Sequence, residues 1–290
     1  MNIENLKEGL AKLESIDYNE CLAYEHALNT FKSIGQLPIL INQINYTVPL
    51  FRTRTHDTPD LFNNIVDISI TPEKFVKEFA RCNRPFQSVF YASENRPTSF
   101  MELLEYWSAT KSVGDKLYLT IGRWENTKPL NLIMITSPDP NKRLSPFDKY
   151  HGQAYDDNLK KKSKEEQEFT ACFFDYMFEK FRKSAKNDNK TYIITTAYSN
   201  LALMYASENA DGITYPSVPY QGQGTNYALR KSFVESALKI THAMYTEFEI
   251  HPLPENKKEF KESNSKLTSA LALNGAIDWT NLLDPPNINQ

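Results

Sequence analysis

The segment from Asp211 to Asn226 limits what this chain can fold into more than any other. Gly212, Ile213, Thr214 and Tyr215 read as a short strand, followed by Pro216 and Ser217. A proline has no amide hydrogen to give a sheet ladder, so the strand ends there. A glycine turn with Gly222 and Gly224 comes next, closed by Asn226. The turn is too short and wrongly placed for a dinucleotide-binding or P-loop fingerprint. It reads as a flexible turn whose backbone can approach a ligand closely.

Around this segment, strand-type and helix-type stretches do not alternate in a regular βαβ rhythm. The expected class is therefore α+β, with a mixed, mostly antiparallel sheet and flanking helices. Residues 3–34 carry Leu6, Leu10, Leu13, Tyr24, Leu28 and Phe31 at helical spacing, with a break near Asp17. Residues 1–45 are expected to form a helical extension and residues 46–250 the main domain. The first core strand is expected over Val48 to Arg54. Thr71, Pro72 and Glu73 have the form of a helix start, predicting a helix to about Ala80. Strands are expected over 87–92, 116–124, 130–136, 226–234 and 237–250, and a helix from Pro97 through Trp107. Residues 137–163 read as polar and turn-rich, 163–185 as an amphipathic helix and 187–190 as a turn. A buried strand from Tyr192 and a helix from Asn200 are expected next. The polar tail, 251–290, is expected to be extended.

Bulk properties exclude some classes. The 290 residues carry a formal charge of −3, so no global field favours nucleic acid or an anionic membrane. The three cysteines, Cys21, Cys82 and Cys172, lack metal-ligand spacing and suggest a reducing compartment. The five histidines are scattered, and neither H-E-x-x-H nor C-x-x-C occurs, so no metal site is expected. The first residues are amphipathic and charged, unlike a signal peptide or spanning helix. The expectation is a cytoplasmic protein with an open oligomeric state.

Candidate residues each have an ordinary and a functional reading. Arg52 can be a strand-edge arginine or an anion anchor at a cleft, with Arg54 its register alternative. Arg81 can meet a helix dipole or grip a ligand. Tyr91 can fill the core or stack on a flat ring. Glu102 can complement a helix terminus, but it stands in a mostly apolar stretch, where a carboxylate needs a partner or ligand. Glu105 is its neighbouring alternative. Ser217 lacks the G-x-S-x-G elbow of a nucleophilic serine and reads as a turn or ligand-positioning residue.

Taken in order, these segments resemble the RES domain family. Leu50 to Arg54 resembles its opening strand, with Arg52 as the first arginine. Arg81-Cys82-Asn83 resembles its G-R-W-N element, with Ala80 and Cys82 in place of the glycine and tryptophan. Tyr91 through Thr98 to Glu102 resembles its Y-x-A…T…E stretch, and Asp211 to Ser217 with Gly224 and Asn226 its D-G-I-x-Y-x-S…G-x-N segment. The resemblance covers residues 48–136 and 190–235, leaving 137–189 as an expected insertion.

That resemblance implies an ADP-ribosyltransferase-like fold and an NAD-consuming enzyme, a glycohydrolase or phosphorylase. NAD is then substrate, with no cofactor or metal. It implies that Arg52 and Arg81 bind phosphates and ribose and that Tyr91 stacks near nicotinamide. Glu102 would support the ribose cation, and Ser217 and Asn226 would position the ligand. Many members are toxins held by a helix-turn-helix antitoxin, which implies such a protein partner. Two alternatives stand beside this: a protein ADP-ribosyltransferase, and a non-catalytic interaction module on the same scaffold.

Overall fold

The computed structural model describes residues 2–107, 110–183, 189–219 and 223–283. Asn2 caps the first helix, accepting from the Glu4 and Asn5 amides, and α1 (Ile3–Ser15) buries Leu6, Leu10 and Leu13. After the break at Asp17 the chain returns as α2 (Ala23–Ile34). The two helices cross tightly, and a side chain on Gly9 would lie 2.4 Å from Ile34 Cγ1.

Among the described residues nine strands make one sheet: β1 (Ile41–Ile44), β2 (Pro49–His56), β3 (Val89–Ser93), β4 (Lys116–Asn126), β5 (Leu130–Met134), β6 (Gly212–Pro216), β7 (Thr225–Arg230), β8 (Leu238–Pro252) and β9 (Lys258–Thr268). Their spatial order is β1-β5-β6-β7-β3-β2-β4-β8-β9. Among the described pairings β5 and β6 run parallel and the others antiparallel. The mixed, mostly antiparallel arrangement is the one the sequence predicts.

Period-two alternation splits the sheet between two large core clusters, and Leu117 and Ile250 join Leu104 in a small third one. On β7, Tyr227 and Leu229 join one cluster with Leu50, Phe90 and Trp124, whereas Ala228 joins the other. That other face is covered by α1, α2, α6 (Lys164–Arg182) and α7 (Asn189–Ala206). A Ser163–Glu166 capping box opens α6, which buries Phe169, Phe173, Met177 and Phe181. The remaining helices are α3 (Ile65–Ile68), α4 (Arg96–Trp107), α5 (Pro146–Leu159) and α8 (Lys231–Ala237). Among the described residues no helix is long and apolar enough to cross a membrane.

Several local expectations are corrected. The helix expected over 72–80 is only a 3-10 turn, Glu73–Phe75. Beyond it the backbone makes loop contacts: Phe86 N donates to Val76 O, and Ala80 N to Asn83 O. The strand expected at Tyr192 is part of α7, one helix through Ala206. Ile193, Ile194, Thr195, Thr196 and Ala197 are all buried. A short apolar, β-branched run reads alike as buried strand or buried helix. Within 137–163, α5 is capped by Ser145 and opened by Pro146. The strand expected to 234 stops at Arg230 and α8 follows. The tail is extended but paired, since β9 lies against β8 and Thr268 Oγ1 donates to the Asp278 and Asn281 carbonyls. Beyond β9 the chain straps the segment after β2. Trp279 Nε1 donates to Phe62 O, Ile277 N to Asn63 O, and Ile65 N to Gly275 O. Of the turn expected over 187–190, residues 187 and 188 lie outside the described residues.

Candidate active site

On β2, alternation carries Leu50, Arg52 and Arg54 to one face. Leu50 enters the core. Arg52 is 7 % exposed, and its guanidinium sits 5.2 Å from the centre of the Phe90 ring. Its donors reach neutral oxygens: Nε to Ser69 O (2.9 Å), Nη1 to Tyr91 O (2.9 Å) and Nη2 to Thr71 Oγ1 (3.1 Å). Arg54 shares the last acceptor, giving Nη1 to Thr71 Oγ1 at 2.9 Å and Nε to Asp67 O at 3.1 Å. Burial, with the Arg54 charge beside it, pushes the Arg52 guanidinium down to about 9. Burial also lowers Arg54, partly offset by Asp67.

The next strand and helix deliver the carboxylate. From β3 the chain turns at once into α4, whose Ser99 Oγ lies 2.7 Å from Thr53 Oγ1 on β2. One turn on, half-buried Glu102 accepts through Oε1 from Ser217 Oγ and from Asn226 Nδ2, both at 2.6 Å. Asn226 is held in turn, since Ser93 Oγ donates to its Oδ1 at 2.7 Å. Short charge-assisted bonds of this kind favour an ionised, oriented carboxylate. Ser217 is fully buried and donates its hydroxyl, as a positioning residue does.

The turn between β6 and β7 is built for this approach. Ser217 N donates to Gly224 O at 2.7 Å. A side chain on Gly224 would stand 2.3 Å from Thr98 Oγ1, so only glycine lets the turn press against the start of α4. Gly222 lies outside the described residues.

Arg81 comes from the other side. Its Nη1 and Nη2 donate to the carbonyls of Lys180 and Lys183, where α6 ends. The negative end of the helix dipole thus faces its charge. Its guanidinium also lies 5.5 Å from the centre of the Tyr192 ring. Tyr91 links the two arginine-bearing segments. Its carbonyl holds Arg52, while its hydroxyl donates to Asn83 Oδ1 (2.8 Å) and accepts from Cys82 N (2.9 Å). Burial raises its phenol well above the ordinary value, so it stays neutral.

These elements enclose a cavity of about 420 Å³, within the size range of small-molecule sites. Arg52, Arg81, Tyr91, Glu102 and Asn226 line it, and Ser217 joins through its bond to Glu102. Five residues far apart in sequence therefore share one cavity, with the sixth one bond away. Sequence reasoning missed Ser93, Ser99, Phe62, Tyr192 and Tyr215, which also line it. Nothing in the local pattern marks them. Tyr192 in particular reads as an ordinary residue of a buried segment. Arg54, the register alternative to Arg52, lines the cavity beside it rather than instead of it.

Among the described residues no carboxylate lies within ion-pair distance of Arg52, Arg54 or Arg81. The cavity thus presents three guanidinium groups and the Glu102 carboxylate. Such a wall suits a ligand that is anionic at one end and develops positive charge at the other. Among the described residues no group of three or more His, Cys, Asp and Glu side chains is placed to hold a metal ion. Comparison with models of known protein families finds no match, and comparison with curated proteins finds no significantly similar sequence.

Proposed function

We propose that this protein is an NAD-consuming enzyme of RES type, on an ADP-ribosyltransferase-like fold. The observation that carries the reading is Glu102, fixed by Ser217 and Asn226 in a cavity that Arg52, Arg54 and Arg81 also line. In this reading the nicotinamide–ribose bond breaks heterolytically. The bonding pair leaves with the pyridinium nitrogen, and neutral nicotinamide departs. Positive charge then spreads over the ribose C1–O bond, facing the Glu102 carboxylate. Water adds at C1 and loses a proton to give ADP-ribose; inorganic phosphate in its place gives the 1-phosphate. Tyr91 offers its ring to the nicotinamide, its hydroxyl being engaged with Cys82 and Asn83.

The test is nicotinamide release from NAD by the purified chain, with and without phosphate. Wild type should turn over, and Glu102→Gln should lower kcat by about 100-fold or more while the protein stays folded. Equal rates for the two proteins, both at background, would reject the proposal. Label appearing on protein instead of free ADP-ribose would make the chain a protein ADP-ribosyltransferase. NAD binding without turnover would make it an interaction module.

A further inference from the structure

We propose that Arg54 and Arg52 together form a two-guanidinium clamp for a diphosphate group. Arg54 is then a ligand-binding residue that sets the preference of the site for dinucleotides over mononucleotides. The inference rests on the proposed NAD reading and revises the expectation that Arg81 is the second phosphate ligand.

The argument begins with donors. A guanidinium has five N–H groups in a planar fork. Arg52 directs three into the protein and Arg54 two. Both forks converge on one neutral atom, Thr71 Oγ1, at 3.1 and 2.9 Å. The neutral acceptors fix where the two groups sit, and the Asp67 carboxylate offsets the Arg54 charge only in part. Two cations side by side in a partly buried wall repel one another. A ligand bearing two negative charges relieves that repulsion, and planar forks match phosphate oxygens bidentately.

Arg81 is situated differently. It faces the carbonyl end of α6, which already compensates its charge, and it lies over Tyr192. The demand for an anion is therefore concentrated at Arg52 and Arg54. Their spacing comes from β2 itself, since residues two apart project from the same face. A single phosphate needs one such fork, whereas a diphosphate engages both.

The test uses the full chain and calorimetric titration with ADP, inorganic pyrophosphate and AMP, alongside steady-state kinetics with NAD. Wild type should bind ADP and pyrophosphate, with affinity falling as salt rises. Arg54→Gln should lose at least about tenfold in affinity for both, with AMP changed much less. In turnover it should raise KM for NAD about tenfold with kcat within a few-fold, whereas Glu102→Gln lowers kcat. Arg54→Lys guards against misfolding: it keeps the charge, loses the planar fork and should recover only part of the affinity. Unchanged ADP affinity in both Arg54 variants, or a wild type that binds neither ADP nor pyrophosphate, overturns the clamp. Loss of ADP binding in Arg54→Gln without any NAD turnover in wild type would uphold the clamp and sink the NAD-cleavage reading instead.

Discussion

Ser217 illustrates what one side chain contributes here. Its Oγ donates to Glu102 from a fully buried position, and its amide is tied to Gly224. Removing the hydroxyl takes the Ser217 donor from Glu102 Oε1 and leaves the Asn226 bond. A hydrogen bond to a charged group contributes about 1.5–3 kcal/mol. Ser217→Ala should therefore lower kcat for NAD about 10- to 100-fold without abolishing it. Complete loss in a folded variant would mark Ser217 as a nucleophile and contradict this role. Asp148, on α5, carries a pH prediction. Its Oδ2 is buried without a partner among the described residues. Burial pushes the acid up to about 7, with Glu94 adding to the rise and the Leu144 backbone, Arg182 and Arg143 opposing it. A carboxyl raised in the fold contributes stability below its ordinary pKa near 4, and that contribution fades as pH climbs through 7. Asp148→Asn should thus raise Tm more at pH 8 than at pH 5, by about 1–3 kcal/mol of stability at the higher pH. Equal shifts at both values would refute the buried neutral acid.

At the scale of elements, the segment after β2 depends on a distant one. The segment from Phe62 to Thr71 supplies the Asp67, Ser69 and Thr71 oxygens that, with the Tyr91 carbonyl, hold Arg52 and Arg54, and the chain beyond β9 clamps that segment through Trp279, Ile277 and Gly275. Trp279→Ala should cost about 3–5 kcal/mol of stability, as large-to-small core changes do. It should also raise KM for NAD in whatever fraction remains folded. Chemical denaturation and kinetics at low temperature measure the two, and an unchanged denaturation midpoint would show that the strap is dispensable. Elements with strong local signals were legible in the chain: α1 with its leucine spacing, α6 with its amphipathic pattern, β2 and β8 with alternating patterns. The failures have a common cause. Pro72 and Glu73 begin a helix in isolation, yet Arg81 is drawn to the end of α6 and Thr196 Oγ1 donates to the Ala80 carbonyl. Long-range bonds took backbone and side-chain groups that a local rule assigns to a helix. Tyr192 to Ala197 went the other way, because burial on every side erases the period that separates strand from helix.

At the scale of the molecule, the nine strands described make one sheet that packs against two large core clusters and a small third one of Leu104, Leu117 and Ile250. The candidate cavity draws on β2, β3, α4, β6, β7 and the segment around Arg81. The sequence by itself determined the class of fold, through alternating strands without a βαβ rhythm, and the chemical kinds of residue at the site. Glutamate at 102 is readable because a carboxylate departs from what its apolar segment needs, whereas Ser217 and Gly224 suit a turn and are singled out only by the family resemblance. Only the tertiary structure decided which of them meet, and on what terms. Charge compensation is a property of neighbours in space. Arg81 is paired with a helix end 99 and 102 residues away, whereas Arg52 and Arg54 share the neutral Thr71 Oγ1, and Asp67 offsets the Arg54 charge only in part. Spacing along the chain holds no record of that difference, since it arises when separate elements pack and water leaves the space between them.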